Sequence, residues 1–210
     1  MPHTSKPRPR PAVPACFARY AVTIALVLAA VPAAPAGELP ARWDLPALMA
    51  ALPRQTLNRV EFIEIKTVSL LKQPLQVSGV LSFNPPAQLE KRITRPVEEL
   101  YRVDGDRLTI ERPAEGLRQE LSLSAYPALW AFVESIRAPL AGDLPTLERF
   151  YRVSLGGSRR NWLLALVPRE PEMAALVRSV QIRGGGDRMR ELAIEEANGD
   201  HSVLQIQWPR

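Results

Sequence analysis

The residue types that most often carry nucleophilic and metal chemistry are nearly missing from this chain. Its 210 residues include one cysteine and two histidines. Cys16 and His3 both fall within the first 36 residues. Without them the remaining chain has no disulfide and no thiol nucleophile, so its core alone must hold it. His201 follows the turn residues Asn198-Gly199-Asp200 and has no evident serine or carboxylate partner; a lone histidine cannot build a metal cluster. The neighbouring acids Glu195 and Glu196 alternate across a strand, so they cannot face one substrate together. Gly184-Gly185-Gly186 is not followed by a helix-opening pattern and reads as a turn, not as a phosphate loop. No nucleophile–base set remains, and no enzyme or cofactor is expected.

Acidic residues are absent from the first 36 positions, whereas Lys6, Arg8, Arg10 and Arg19 are present. An apolar run from Ala21 to Val31 follows, and then the small-residue site Ala34-Pro35-Ala36. This is the pattern of a secretory signal peptide cleaved before Gly37. The run is about half the ~20 residues that span a bilayer. Cys16 precedes it, where an acylated lipoprotein cysteine does not occur. A soluble, unlipidated, periplasmic product is expected, with residues 37–210 as one domain. The whole chain has 27 basic and 22 acidic residues. Four basic residues leave with the signal, so 23 stand against 22, and the basic pI of the full chain gives no ground for nucleic-acid binding.

What is present is a series of short alternating runs broken by turn residues. From Gln76 to Arg112, strand-like segments are separated by Asn84-Pro85-Pro86, by Arg95-Pro96 and by Asp104-Gly105. A long strand is expected before them, over Arg59–Leu71. The period then changes: Leu129, Phe132, Val133 and Ile136 make a helical stripe over residues 127–138, closed by Pro139 and Gly142. An earlier short helix over residues 44–52 has Asp44 as its cap and Leu45, Leu48, Met49 and Leu52 as its stripe. Period two returns at Tyr151–Leu155 and continues through Asn161–Val167, Val180–Arg183, Arg190–Glu196 and Ser202–Trp208. Both faces of Asn161–Val167 are apolar, which predicts cover on both sides. Eight or more strands with helices inserted predict a mainly β (α+β) fold, one strongly bent antiparallel sheet with the two apolar helices over its concave face.

The order of these elements resembles the LolA-like periplasmic lipoprotein carriers over nearly the whole mature chain. The residues concerned are Phe62, then Gly79-x-Leu81-x-Phe83 with Pro85 and Pro86, and Pro96. Asp104-Gly105 with Leu108 and Ile110, Leu140-x-Gly142 and Trp162-x-Leu164-x-Leu166-x-Pro168 follow, and the terminal strands turn at Gly199. The resemblance implies an unclosed half β-barrel with an α-helical lid over an apolar cavity. It implies a non-catalytic carrier of an acylated lipoprotein or other lipid from the inner to the outer membrane. Its partners would be an inner-membrane transporter and an outer-membrane acceptor, and it would work as a monomer. A sensor or interaction protein on the same fold is the alternative. Phe62-Ile63-Glu64-Ile65-Lys66 and Glu90-Lys91-Arg92 depart from the carriers' usual pattern.

Burial is the chemistry that such cargo demands. Three acyl chains hold on the order of 40 methylenes, and exposing them to water would cost roughly 30 kcal/mol. Phe62, Leu81, Phe83, Leu89, Leu108 and Ile110 are candidates for the sheet wall of the cavity. Leu129, Trp130, Phe132, Val133 and Ile136 are candidates for the lid. The alternative for each is an ordinary filled core. Glu64 and Lys66 share a strand face with Phe62, a costly arrangement unless the charges are paired or wet. Either a bulge after Phe62 turns them outward, or they border the cavity mouth and meet a head group. Glu90, Lys91, Arg92, Arg95 and Arg102 read as a solvated patch, or as a surface, with Lys91 and Arg92 foremost, that meets a head group or partner.

Overall fold

The computed structural model describes residues 43–54 and 59–209, all within one compact unit. The expected signal segment and cleavage site lie outside the described residues. Asp44 caps α1 (Leu45–Ala51) by accepting from the Ala47 N–H at 3.0 Å. Six strands follow: β1 (Val60–Thr67), β2 (Leu75–Asn84), β3 (Gln88–Arg95), β4 (Glu99–Asp104), β5 (Arg107–Arg112) and β6 (Leu117–Ser122). Two helices, α2 (Pro127–Ala141) and α3 (Leu144–Phe150), lead to β7 (Tyr151–Ser158) and β8 (Asn161–Pro168). A short α4 (Pro171–Ala174) precedes β9 (Val177–Gly185), β10 (Arg188–Glu196) and β11 (His201–Gln207).

All eleven strands form one sheet in the order β6-β5-β4-β3-β2-β1-β11-β10-β9-β8-β7, and every pairing is antiparallel. It is two meanders joined where β1 pairs with β11. The edge strands β6 and β7 do not pair with each other, so the barrel is unclosed. A twisted sheet this wide must curl. The chain leaves at one edge and re-enters at the other, so among the described residues α2 and α3 make the long crossing between them.

Strand β6 was not expected. Its burial is nearly nil along LRQELS, so no apolar alternation marks it; its ladder to β5 makes it a strand. The first strand ends at Thr67, not Leu71. Helix α2 runs three residues past the predicted 138 and contains Pro139. In the last turn the missing N–H costs little, because buried Pro139 and Leu140 pack and Gly142 closes the end. Gly142 adopts φ +71°, and a Cβ there would lie 2.6 Å from the Met49 carbonyl oxygen and 2.7 Å from the Pro53 ring. Thus α1 and the turn after it back onto the end of α2, and Leu48 and Leu52 are buried in the same core as the strands. Strand β8 also differs from expectation. Trp162, Leu164 and Leu166 are buried, but Leu163 and Ala165 are half-buried and Val167 is exposed. Arg183, Gln181 and Arg152 stand opposite them in the ladders, so this face is polar and open instead of covered.

Candidate functional site

The two halves of the concave face are filled differently. Around β8 and β9, Leu164, Leu166, Val180 and Ile182 are fully buried in one core with Leu48, Leu52, Leu140 and Leu147. Under α2, towards β1–β5 and β10–β11, the packing stops and leaves a cavity of about 490 Å³. Leu129, Phe132, Val133 and Ile136 of α2 form its roof. Leu81, Leu89, Leu108 and Ile110 of the first meander, and Leu192 and Leu204 of the second, form its floor. These are the inward positions of successive strands: Leu89 stands opposite Phe83 and Val103, and Val103 opposite Leu108.

The roof is held at both ends. The Tyr151 hydroxyl, fully buried at the start of β7, donates to the Ala131 carbonyl at 2.9 Å. Burial pushes that phenol well above the ordinary tyrosine range. On the opposite side of α2, Arg137 Nη1 donates to the Gly105 carbonyl at 2.5 Å, in the β4–β5 turn. Arg137 also pairs with buried Glu134, which accepts from Trp130 Nε1 at 2.9 Å.

A sequence model of the family described as "outer membrane lipoprotein carrier protein LolA-like" matches residues 33–205. The chain belongs to this family. No curated protein matches it. Among solved structures, a LolA superfamily protein from Nitrosomonas europaea is similar at 12% identity and a TM-score of 0.43, over 80% of this chain and 93% of that one. An outer membrane lipoprotein-sorting protein domain from Vibrio parahaemolyticus, so described as putative, aligns at 9% identity and 0.42, over 80% and 91%. A chain of the Pseudomonas aeruginosa MucA/MucB complex aligns at 12% and 0.41, over 77% of this chain and 55% of that one.

Within this LolA-like domain the candidate residues divide. Leu81, Leu89, Leu108, Ile110, Leu129, Phe132, Val133 and Ile136 line the cavity, as do Glu64, Lys66 and Lys91. Phe62 and Phe83 do not: they are packed within the core. Trp130 sits on another face of α2, 5.5 Å from the Phe150 ring and beneath the Arg149 guanidinium. Leu129 and Ile136 are a heptad apart, whereas Trp130 shares its face with Glu134, four residues on. Arg92 points to the outer face, 3.3 Å from Glu90 and 3.2 Å from Glu98. The charged patch is therefore two groups separated by the strand period, Lys91 inside and Glu90, Arg92 and Arg102 outside.

There is no bulge after Phe62. The ladders run unbroken from Val60 to Lys66 on one side and from Glu61 to Thr67 on the other. Glu64 therefore points inward with its side chain only 5% exposed, and Ile63 and Ile65 point outward. Lys91 Nζ donates to Glu64 Oε2 at 2.7 Å and lies 5.3 Å from the Phe62 ring centre. Burial pulls the Lys91 ammonium below its ordinary value; Glu64 opposes that shift and nearby Lys66 adds to it. Lys66 reaches the same Glu64 oxygen only at 3.8 Å, beyond hydrogen-bonding distance. At the rim Asp200 accepts from the Ser69 N–H at 2.8 Å, which lowers its pKa. Tyr101, another lining residue, donates to Glu99 at 2.5 Å and is raised mainly by burial.

Tyr101, Val103, Leu192, Ile194 and Leu204 also line the cavity and were not picked out from sequence. Tyr101 and Val103 stand opposite Lys91 and Leu89 across the next ladder, so the register of the β3–β4 hairpin would have found them.

Proposed function

We propose that this LolA-like protein is a non-catalytic carrier that holds the acyl part of a lipoprotein or lipid beneath α2 and moves it across the periplasm. Its first 36 residues direct export, and residues 37–210 act as one carrier domain. An inner-membrane transporter loads it and an outer-membrane acceptor unloads it. The observation that carries this reading is the apolar cavity between α2 and the concave sheet. Cavities of several hundred Å³ lined by aliphatic and aromatic groups suit apolar ligands. A closed core of the same composition would have been filled, as the β8–β9 half is. The rim supports the same reading: Leu70 is 92% exposed beside lining Val68, and Leu71, Leu75 and Leu176 are exposed as well. An apolar rim lets a chain pass between apolar surroundings without crossing water.

Purification from a periplasmic extract without detergent, followed by mass spectrometry of the organic-soluble material, tests the proposal. An acylated compound recovered in near-stoichiometric amount supports it. A protein that yields none, and that takes up none when offered long-chain amphiphiles, is not a carrier.

A further inference from the structure

We propose that the Glu64–Lys91 pair in the cavity wall binds a neutral group of the cargo that both donates and accepts a hydrogen bond, such as an amide or a hydroxyl on an otherwise apolar body; this rests on the carrier reading above. The pair is set among aliphatic groups of the lining. Leu204 stands opposite Glu64 in the β1–β11 ladder, Leu81 opposite Lys91 in the β2–β3 ladder, and both face the cavity.

The pair does not exhaust its own hydrogen-bonding capacity. A carboxylate has two accepting oxygens and an ammonium three N–H groups. Lys91 uses one N–H on Glu64 Oε2, at 2.7 Å, and the centre of the Phe62 ring lies 5.3 Å from its nitrogen. Lys66 forms an ion pair with the same Oε2 at 3.8 Å. Among the described residues, Glu64 Oε1 accepts no hydrogen bond and Lys91 donates no second one. The Glu64 side chain is only 5% exposed, yet both residues line the cavity. An apolar chain that fills this space excludes water from the pair. The remaining oxygen and N–H are then left unmet, which is costly for charged groups, unless the cargo itself meets them.

Charge balance favours a neutral group there. Three acids, Glu64, Glu196 and Asp200, line the cavity with two bases, Lys66 and Lys91. An anion beside the pair would meet the Glu64 carboxylate, and a cation the Lys91 ammonium. A group with one donor and one acceptor answers both, giving its N–H or O–H to Glu64 and taking one from Lys91. Amides and hydroxyls have both functions, whereas esters and ethers have only the acceptor.

The test uses the mature protein and displacement of the neutral fluorophore N-phenyl-1-naphthylamine by two size-matched pairs of competitors. The first is N-methylhexadecanamide against methyl hexadecanoate, and the second is hexadecan-1-ol against 1-methoxypentadecane. Each pair differs in one donor. The reference is the double variant Glu64→Met with Lys91→Met, which removes both charges together and strands neither. The preference for the donor-bearing member of at least one pair should be about tenfold greater in the unaltered protein than in the double variant. A preference confined to the first pair assigns the group as an amide, and one confined to the second as a hydroxyl. A second measurement needs no variant. The infrared carbonyl band of methyl [1-¹³C]hexadecanoate bound to the unaltered protein should lie below its position in liquid hexadecane, as a hydrogen-bonded carbonyl does. The same preferences in both proteins, or a carbonyl band at the hexadecane position, would overturn the proposal and leave the carrier reading standing. If neither the probe nor any competitor binds the unaltered protein, both fall together.

Discussion

Lys91 Nζ lies 2.7 Å from Glu64 Oε2 on the concave face of the sheet, two strands apart, in the wall of a mainly apolar cavity. Removing one partner of such a pair leaves the other charge stranded in a poorly solvated place. Lys91→Met and Glu64→Gln should each destabilise the protein by about 3 kcal/mol, and the double variant by clearly less than the sum of the two. Urea unfolding of all four proteins measures the coupling. Strict additivity would mean that the pair contributes no interaction of its own.

The pair also sets a pH dependence. In the unfolded chain Lys91 titrates at the ordinary lysine value of about 10.4. Burial lowers its pKa in the folded protein. Between the two values the unfolded chain binds more protons, so this group makes stability rise with pH across that window. Its full cost is present below the folded pKa. The stability difference between the unaltered protein and Lys91→Met should therefore change with pH below about 10.4, across the window that the lowered pKa opens. Urea midpoints at pH steps from 7 to 10 check this, with the difference cancelling the tyrosines common to both proteins.

The tie between Tyr151 and the Ala131 carbonyl gives a smaller and cleaner effect. Tyr151→Phe keeps the packing and loses one buried hydrogen bond, so a loss of about 1 kcal/mol is expected. In the unaltered protein the Tyr151 phenol should not ionise before the fold is lost, since burial holds its pKa above the ordinary range. Ultraviolet titration of the Tyr151→Phe variant against the parent shows which ionisation is missing.

Phenylalanines in the roof and in the core should behave differently. Phe62 is 1% exposed and Phe83 4% exposed, both among packed neighbours, so replacing either with Ala should cost about 3–5 kcal/mol. Phe132 faces the cavity and already lacks partner atoms on one side. Phe132→Ala should cost measurably less in thermal unfolding, yet weaken the binding of a long-chain probe. Equal destabilisation at all three positions would mean that the roof is ordinary core.

These contrasts show where the fold was legible in the sequence. The hairpins from β2 to β5 were readable because turn residues punctuate strands with one buried face. The stripe Leu129, Phe132, Val133 and Ile136 marked the roof because a helix packed on one side alone must show it. Strand β6 left no trace, since an exposed edge strand is fixed by its ladder to β5 and not by burial. Glu64 was harder for the opposite reason. An acid on an apolar face argues for a bulge unless a distant strand supplies a cation, and Lys91 arrives only through the β2–β3 ladder. Trp130 and Phe62 have the right composition for a cavity wall. Only tertiary packing shows that one faces Phe150 and the other the filled core.

Nuclear Overhauser contacts between a ¹³C-labelled sixteen-carbon chain and the protein's methyl groups test the central claim most directly. The account predicts contacts from the chain to Leu81, Leu108, Ile110 and Ile136, which line the cavity, and none to Leu164 or Ile182 in the filled half. Contacts confined to the exposed Leu70 and Leu75, or no contacts at all under saturating ligand, would contradict carriage beneath α2.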